Sequence, residues 1–317
     1  MEDWFEARVA TKEQDGDGIF LFALSDVEGR PLPAFQPGAH IDIQVGDLTR
    51  QYSLYGTPAD RGHYRIAVQR EADGRGGSKA LCDSIHAGDT VRIRPPRALF
   101  TVAEGGTDHV MLAGGIGITP LLSMASHLGC GGATTLHYLV RDRTRAALLD
   151  ASTRAVGSGR LHLHVTGETG RPDLGALIGP PAPGRHLYLC GPAALLDAAV
   201  ATAEGLGWPA GHIHLERFAA DPAASVEANQ PFLLRLRSTG AVIPVAADQT
   251  AAEALAAANV ELPISCAEGV CGACITGVLD GTPEHRDCVL TDAEHAANRL
   301  FTPCCSRSRG GMLVLDL

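Results

Sequence analysis

Three cysteines crowd into the segment 266–274 and a fourth follows far down the chain. Cys266, Cys271 and Cys274 are spaced Cys-x4-Cys-x2-Cys, and 29 residues separate Cys274 from Cys304. No other feature restricts the fold as much, because a tight loop and a distant segment must bring four sulfurs to one point. The spacing is that of a plant-type [2Fe–2S] site. Structural zinc sites usually show two short Cys-x2-4-Cys pairs instead, and a buried free thiol can serve simply as a small apolar side chain. Here three sulfurs cluster and one stands apart. The intervening Ala267, Gly269, Gly272 and Ala273 let the backbone close tightly and turn N–H groups toward sulfur. Such a cluster carries one electron at a time, so the chain is read as an electron carrier.

Cys304 and Cys305 are adjacent, and only one can complete the set. The gap length and the following Ser306-Arg307, which give a Cys-x-Ser-Arg ending, favour Cys304. Cys305 is then a neighbour of the cluster or a spare thiol. The N-terminus, Met1-Glu2-Asp3-Trp4, is acidic and has no signal-peptide layout. A cytoplasmic protein follows, in which nine cysteines read as metal ligands or reduced thiols. A net charge of −10 argues against a nucleic-acid partner. No apolar run reaches the length of a membrane span. The 317 residues exceed one ordinary core and suit two or three domains.

The first hundred residues alternate short apolar runs with turn residues. Strands are expected at 5–10, 19–24, 40–45, 51–55, 64–69 and 90–94, which suggests a small antiparallel barrel. After Glu104-Gly105-Gly106 the rhythm changes to strand and helix in alternation. Strands at 110–113, 136–140, 161–165, 187–190 and 213–215, with helices such as 120–127 and 193–204, imply a parallel sheet with helices on both faces. Residues 219–231 are rich in Ala and Pro and read as a linker. Beyond them come a hairpin at 232–237 and 242–246, and a helix at 250–258. Thr250 and Glu253 form a capping box there. The cysteine loop and a last strand at 312–317 end the chain.

Two glycine turns carry the remaining chemistry. Gly74-Arg75-Gly76-Gly77-Ser78 leads into a helix at 79–85, and a helix N-terminus after a glycine-rich turn is a phosphate site. Gly114-Gly115-Ile116-Gly117-Ile118-Thr119-Pro120 follows a strand and opens a helix, as a dinucleotide-binding turn requires. Pro120 replaces the third glycine of Gly-x-Gly-x-x-Gly, and proline suits the first turn of a helix.

These motifs occur in a fixed order: Arg50-Gln51-Tyr52-Ser53, the Gly74–Ser78 turn, Gly114–Pro120, Cys190-Gly191-Pro192, Glu216-Arg217-Phe218, and the four cysteines. The order, over essentially the whole chain, resembles the phthalate dioxygenase reductase family, which includes the vanillate O-demethylase reductases. The resemblance implies a multidomain chain. An FMN-binding antiparallel β-barrel covers 1–103, an α/β parallel-sheet nicotinamide domain 104–220, a linker 221–230, and a β-grasp ferredoxin-like α+β domain 231–317. It implies that Arg50, Gln51, Tyr52, Ser53, Ala67, Val68 and Gln69 line the flavin, and that Arg75, Gly76, Gly77 and Ser78 bind its phosphate. Gly114, Gly115, Gly117, Ile118, Thr119 and Pro120 would hold the nicotinamide cofactor's pyrophosphate, with Cys190, Gly191 and Pro192 beside it. Thr119, Cys190 and Phe218 would stand nearest the hydride transfer, Phe218 covering the flavin. Cys266, Cys271, Cys274 and Cys304 would hold the cluster.

The implied activity runs from NADH through FMN to the cluster. Plant-type clusters lie near about −400 mV, low enough to reduce an outside acceptor. The implied partner is a terminal oxygenase with a Rieske centre. A cytochrome P450 or a free ferredoxin is the alternative acceptor. Asp142, after the second strand of the nicotinamide domain, favours NADH over NADPH, whereas Arg141, Arg143 and Arg145 could attract a 2′-phosphate.

Overall fold

The computed structural model describes residues 4–46, 48–72, 74, 76–129, 133–218 and 229–317. Arg75, and residues 221–228 of the expected linker, lie outside the described residues. The chain divides into two compact units, Glu2–Glu216 and Arg217–Leu317.

The first unit opens with β1 (Phe5–Gln14), β2 (Ile19–Asp26), β3 (His40–Val45), β4 (Leu48–Tyr55), β5 (Tyr64–Gln69), helix α1 (Gly77–Ser84) and β6 (Thr90–Ile93). The strands close into a barrel of order β1-β2-β5-β4-β3-β6. Their period-2 alternation sends Val9, Phe22, Ile41, Ile43, Leu54, Ile66 and Val68 into one buried core. A bulge between Val9 and Thr11 interrupts β1. Beyond it the Lys12 ammonium donates to the Cys82 and Ile85 carbonyls at the end of α1. Strands β1, β2 and β4 run longer than their apolar runs suggested, β3 and β5 match them, and β6 ends one residue sooner. Asp42, Arg94 and Arg97, polar breaks in the sequence pattern, meet instead in a buried ion pair, Arg97 Nη2 reaching Asp42 at 2.8 Å.

A parallel sheet follows, built from β7 (Asp108–Gly114), β8 (Ala133–Val140), β9 (Leu161–Val165), β10 (Arg185–Cys190) and β11 (Ile213–Glu216). Its helices are α2 (Ile118–Leu128), α3 (Leu149–Val156), α4 (Thr166–Thr169), α5 (Leu174–Ile178) and α6 (Ala193–Gly205). The strand order is β11-β10-β7-β8-β9. The first strand, β7, therefore lies centrally, and the order reverses between β7 and β10. One sheet face packs Met111, Leu136, Tyr138 and Tyr188 on α2 and α3. The other packs Leu112, Leu187 and Leu189 on α5 and α6. Near the start of β10 and β11, His186 stacks on His212 with ring centroids 4.4 Å apart.

In the second unit, β12 (Phe232–Leu236) and β13 (Val242–Val245) form the expected hairpin, followed by α7 (Ala251–Ala257). The capping box is made: Glu253 N donates to Thr250 Oγ1 at 3.1 Å and Thr250 N to Glu253 Oε2 at 2.8 Å. Then come β14 (Thr276–Asp280), β15 (Pro283–Glu284), α8 (Asp292–Ala297), β16 (Leu300–Phe301), β17 (Arg307–Ser308) and β18 (Met312–Leu315). The main sheet, β13-β12-β18-β14-β16, is mixed and carries α7 on one face, as in a β-grasp fold. Strands β14 to β17 had no counterpart in the sequence reading, because most are too short to show a period. Among the described residues, no helix is long and apolar enough to cross a membrane.

Candidate functional site

The barrel half of the site is set by the pleat of β4. Alternate residues point to opposite faces, so the run 50–53 divides in two. Tyr52 packs against the barrel core with Leu54. Arg50, on the same face, lies against the turn that opens α1. A Cβ at Gly77 would stand 2.5 Å from both Cγ and Nε of Arg50, so glycine is what lets the guanidinium stem lie there. Gly76 just before it has φ 80°, a left-handed conformation that glycine adopts without strain. Ser78 Oγ accepts the Glu71 N–H at 3.2 Å and closes the turn. The result is a helix N-terminus with a cation beside it, which suits a phosphate.

Gln51 and Ser53 face the other way. Gln51 Nε2 donates to Asp42 Oδ1 at 3.1 Å. Ser53 Oγ donates to Glu216 Oε2 at 3.4 Å. On β5, Val68 points into the barrel core and Ala67 toward the α2 cluster, while Gln69 Nε2 bonds Glu71. The residues expected around the flavin thus fall on two faces of the barrel wall.

The half expected to take the nicotinamide cofactor lies at the carboxyl ends of β7 and β10, where the strand order reverses. Open α/β sheets bind ligands in this crevice. Glycine is required here by close approach of two backbones. A Cβ on Gly191 would lie 2.9 Å from Gly114 Cα, and one on Gly117 would lie 2.3 Å from the Cys190 carbonyl oxygen. Gly115 turns with φ 54°, and α2 begins at Ile118, two residues before the expected start. Pro120 therefore sits inside its first turn, where no amide hydrogen bond is lost. Thr119 is buried and donates its hydroxyl to the Ile116 carbonyl at 3.0 Å.

Cys190 and Glu216 are register partners at the ends of β10 and β11. Burial, with Glu216 adjacent, holds the Cys190 thiol well above its ordinary value. Burial also pushes the Glu216 carboxyl up to about 8, against the smaller downward pull of Ser53. Glu216 is therefore largely protonated at neutral pH and placed between Ser53 and Cys190. Glu216 belongs to the Glu216-Arg217-Phe218 motif, and residue order alone gives it no role. A carboxylate closing the short strand Ile213–Glu216 was the available signal. Phe218 is exposed at the start of the second unit.

In that unit, the cysteine loop coils through left-handed turns at Ala267 (φ 56°), Gly269 (φ 75°) and Gly272 (φ 67°). This curls the backbone around Cys266, Cys271 and Cys274, all buried, and meets the buried Cys304. Cys274 and Cys304 sulfurs lie 3.3 Å apart. Glu268 N points at Cys266 Sγ at 3.3 Å and Ala273 N at Cys271 Sγ at 3.4 Å. Cys266 is held below the usual thiol range because Cys271 and Cys304 hydrogen-bond to it. Four converging sulfurs with N–H groups turned on them suit an iron–sulfur cluster. Cys305 stands beside the set: a hydrogen bond with Cys304 holds its thiol below the usual range, and its sulfur lies 3.4 Å from Thr302 Oγ1.

A flavin-type barrel, a nicotinamide-type sheet and a four-sulfur pocket in one chain define a flavin and iron–sulfur oxidoreductase. Comparison with known proteins agrees. Residues 17–101 match the family model described as oxidoreductase FAD-binding domain, and residues 234–309 the 2Fe-2S iron-sulfur cluster binding domain. Vanillate O-demethylase oxidoreductase of Pseudomonas sp. (strain HR199 / DSM 7063) is 42% identical over 294 residues, which cover 92% of this chain and 92% of that protein. The solved structure of phthalate dioxygenase reductase matches with a TM-score of 0.75 and 36% identity, covering 99% of this chain and 98% of that one. An intact type IV self-sufficient cytochrome P450 monooxygenase matches with a TM-score of 0.87 and 39% identity, but this chain spans only 41% of its length. The chain belongs to the family of phthalate dioxygenase reductases and vanillate O-demethylase reductases.

Proposed function

We propose that this chain is the NADH-dependent reductase of a two-component oxygenase, carrying FMN and a [2Fe–2S] cluster and delivering electrons to the oxygenase's Rieske centre. The observation that carries the reading is the union of a hydride site and a one-electron site in one chain. Bound flavin exchanges either one or two electrons, and that chemistry joins the two sites. The relatives' names support the oxygenase partner. The domains run 1–103, 104–220 and 231–317, and the setting is the cytoplasm.

In this reading Arg50, Gly76, Gly77 and Ser78 hold the FMN phosphate at the N-terminus of α1. Tyr52 and Ser53 stand beside the ring. Gly114, Gly115, Gly117 and the start of α2 hold the NADH pyrophosphate, with Gly191 and Pro192 opposite. Glu216 keeps a proton beside Ser53, and Cys190 closes the floor of the crevice against water. Cys266, Cys271, Cys274 and Cys304 are the cluster ligands. FMN rests on the phosphate turn, although the matching family model is described as FAD-binding. Mass spectrometry of the released flavin tests it, and recovered FAD overturns it. NADH is supported by the Arg143–Glu168 pair at 3.0 Å, which engages one of the arginines available to a 2′-phosphate. A clear steady-state preference for NADPH overturns it.

The test of function is NADH-dependent product formation with candidate oxygenases added to the purified chain. The P450 structure that contains a similar segment favours one second reading, a P450 acceptor. Turnover with a P450 and with none of the oxygenases would establish that reading instead.

A further inference from the structure

Outside the sites described above, one buried side chain joins several segments of the cluster domain. Asp287 has a side chain with no solvent exposure. Its Oδ1 accepts the Thr302 hydroxyl at 3.1 Å and the Ser306 hydroxyl at 3.3 Å. Its Oδ2 accepts the Leu290 N–H at 3.0 Å and lies 3.2 Å from His295 Nε2. Thr302 and Ser306 flank Cys304. On the other side, the backbone of Asp287 abuts the cysteine loop: a Cβ on Gly269 would lie 2.9 Å from Asp287 Cα. The next residue seals this contact, Cys288 N donating to the Gly269 carbonyl at 3.1 Å.

We propose that Asp287 is a positioning residue for the cluster: it clamps the segment bearing Cys304 to the loop bearing Cys266, Cys271 and Cys274, and its buried negative charge keeps the cluster potential low. The clamp half follows from the hydrogen bonds. Four donors converge on two oxygens, and a carboxylate held by several donors is fixed in place. The charge half follows from location. A fixed anion in a low-dielectric interior disfavours adding an electron nearby. Burial alone raises the Asp287 carboxyl, but the Leu290 N–H, His295 and Thr302 outweigh it, and it stays below the ordinary range.

His285 does not turn this group into a cation site. His285, Asp287 and His295 bring their ligand atoms within 4.8 Å of one another. Yet the aspartate oxygens are already taken up by donors. His285 stacks on His295 with centroids 4.3 Å apart, and its Nδ1 is itself turned on the carboxylate, 3.7 Å from Asp287 Oδ1.

The proposal rests on the cluster reading of the four cysteines, and the experiment separates the two. A wild-type protein without iron and sulfide refutes the cluster, not the clamp. In cluster-loaded protein, Asp287→Asn should raise the midpoint potential, shifting the reduced-to-oxidised ratio at a fixed poise about tenfold, which is 59 mV for one electron. Iron release to a chelator should accelerate at least about tenfold. Flavin reduction by NADH, which belongs to the other unit, should be unchanged. Thr302→Val, which keeps the charge, should speed iron release and leave the potential where it was. An Asp287→Asn protein with an unmoved potential overturns the proposal. So does a tightly held divalent ion, beyond the cluster iron, that disappears in Asp287→Asn. Should Asp287→Asn fail to fold, Thr302→Val decides alone: iron release as slow as wild type overturns the clamp.

Discussion

Glu216→Gln should stabilise the first unit in alkaline solution, and the size of the effect follows from its burial. The folded chain keeps a proton on Glu216 up to a pH of about 8, whereas an unfolded chain loses it near the ordinary glutamate value. Between those limits the folded state binds more protons, so stability falls as pH rises, by at most 1.36 kcal/mol per pH unit. His137 and His214, pushed down to about 4 by burial and neighbouring histidines, act with the opposite sign. Their contribution is present above about pH 6.5 and is lost as pH falls toward 4. The window from about pH 6.5 to about 8 therefore isolates Glu216. Across it the loss is at most about 2 kcal/mol. Residual solvent contact of this half-buried side chain brings the expected figure to about 1 kcal/mol. Glutamine removes the titration and keeps a partner for Ser53. Urea unfolding followed by tryptophan fluorescence reads the right unit, because the two tryptophans, Trp4 and Trp208, both belong to it. Equal pH slopes in wild type and Glu216→Gln would refute the reasoning. So would a wild type that gains stability from pH 6.5 to 8.

Gly191→Ala should raise the KM for NADH at least about tenfold with flavin content intact, since its Cβ meets backbone rather than a movable side chain; unchanged steady-state kinetics would contradict the close-approach argument. Lys12→Met should lower the stability of the first unit by about 1–3 kcal/mol, because two carbonyls ending α1 lose their charged donor; the urea midpoint checks it. Cys304→Ser should abolish the cluster's visible absorption while Cys305→Ser keeps it, and the reverse pattern would exchange the two sulfurs. NADH reduction of the flavin should survive both substitutions, as a stopped-flow trace will show.

Much of the site was legible because it rests on local backbone demands. The Gly114–Pro120 turn, the Gly76–Ser78 turn and the Cys-x4-Cys-x2-Cys loop each need particular residues at consecutive positions. That need is written in the order of residues. Strands β15 to β17 were not legible, because two-residue strands carry no period and exist through their partners. The split of residues 50–53 was legible in principle from the pleat, but which face met Glu216 depended on the closure of the barrel.

Residue order is enough for the longer strands and helices, the two glycine turns and the cluster loop, since each is fixed by φ freedom, periodicity or ligand spacing over a few residues. It takes the folded chain to require glycine at position 191, to keep a proton on Glu216 beside Ser53, and to tie Thr302 and Ser306 through Asp287 to the cysteine loop. Each of those depends on groups far apart in the chain approaching within a few ångströms. Steric exclusion, desolvation and hydrogen bonding act on distance in space, and the order of residues does not record that distance.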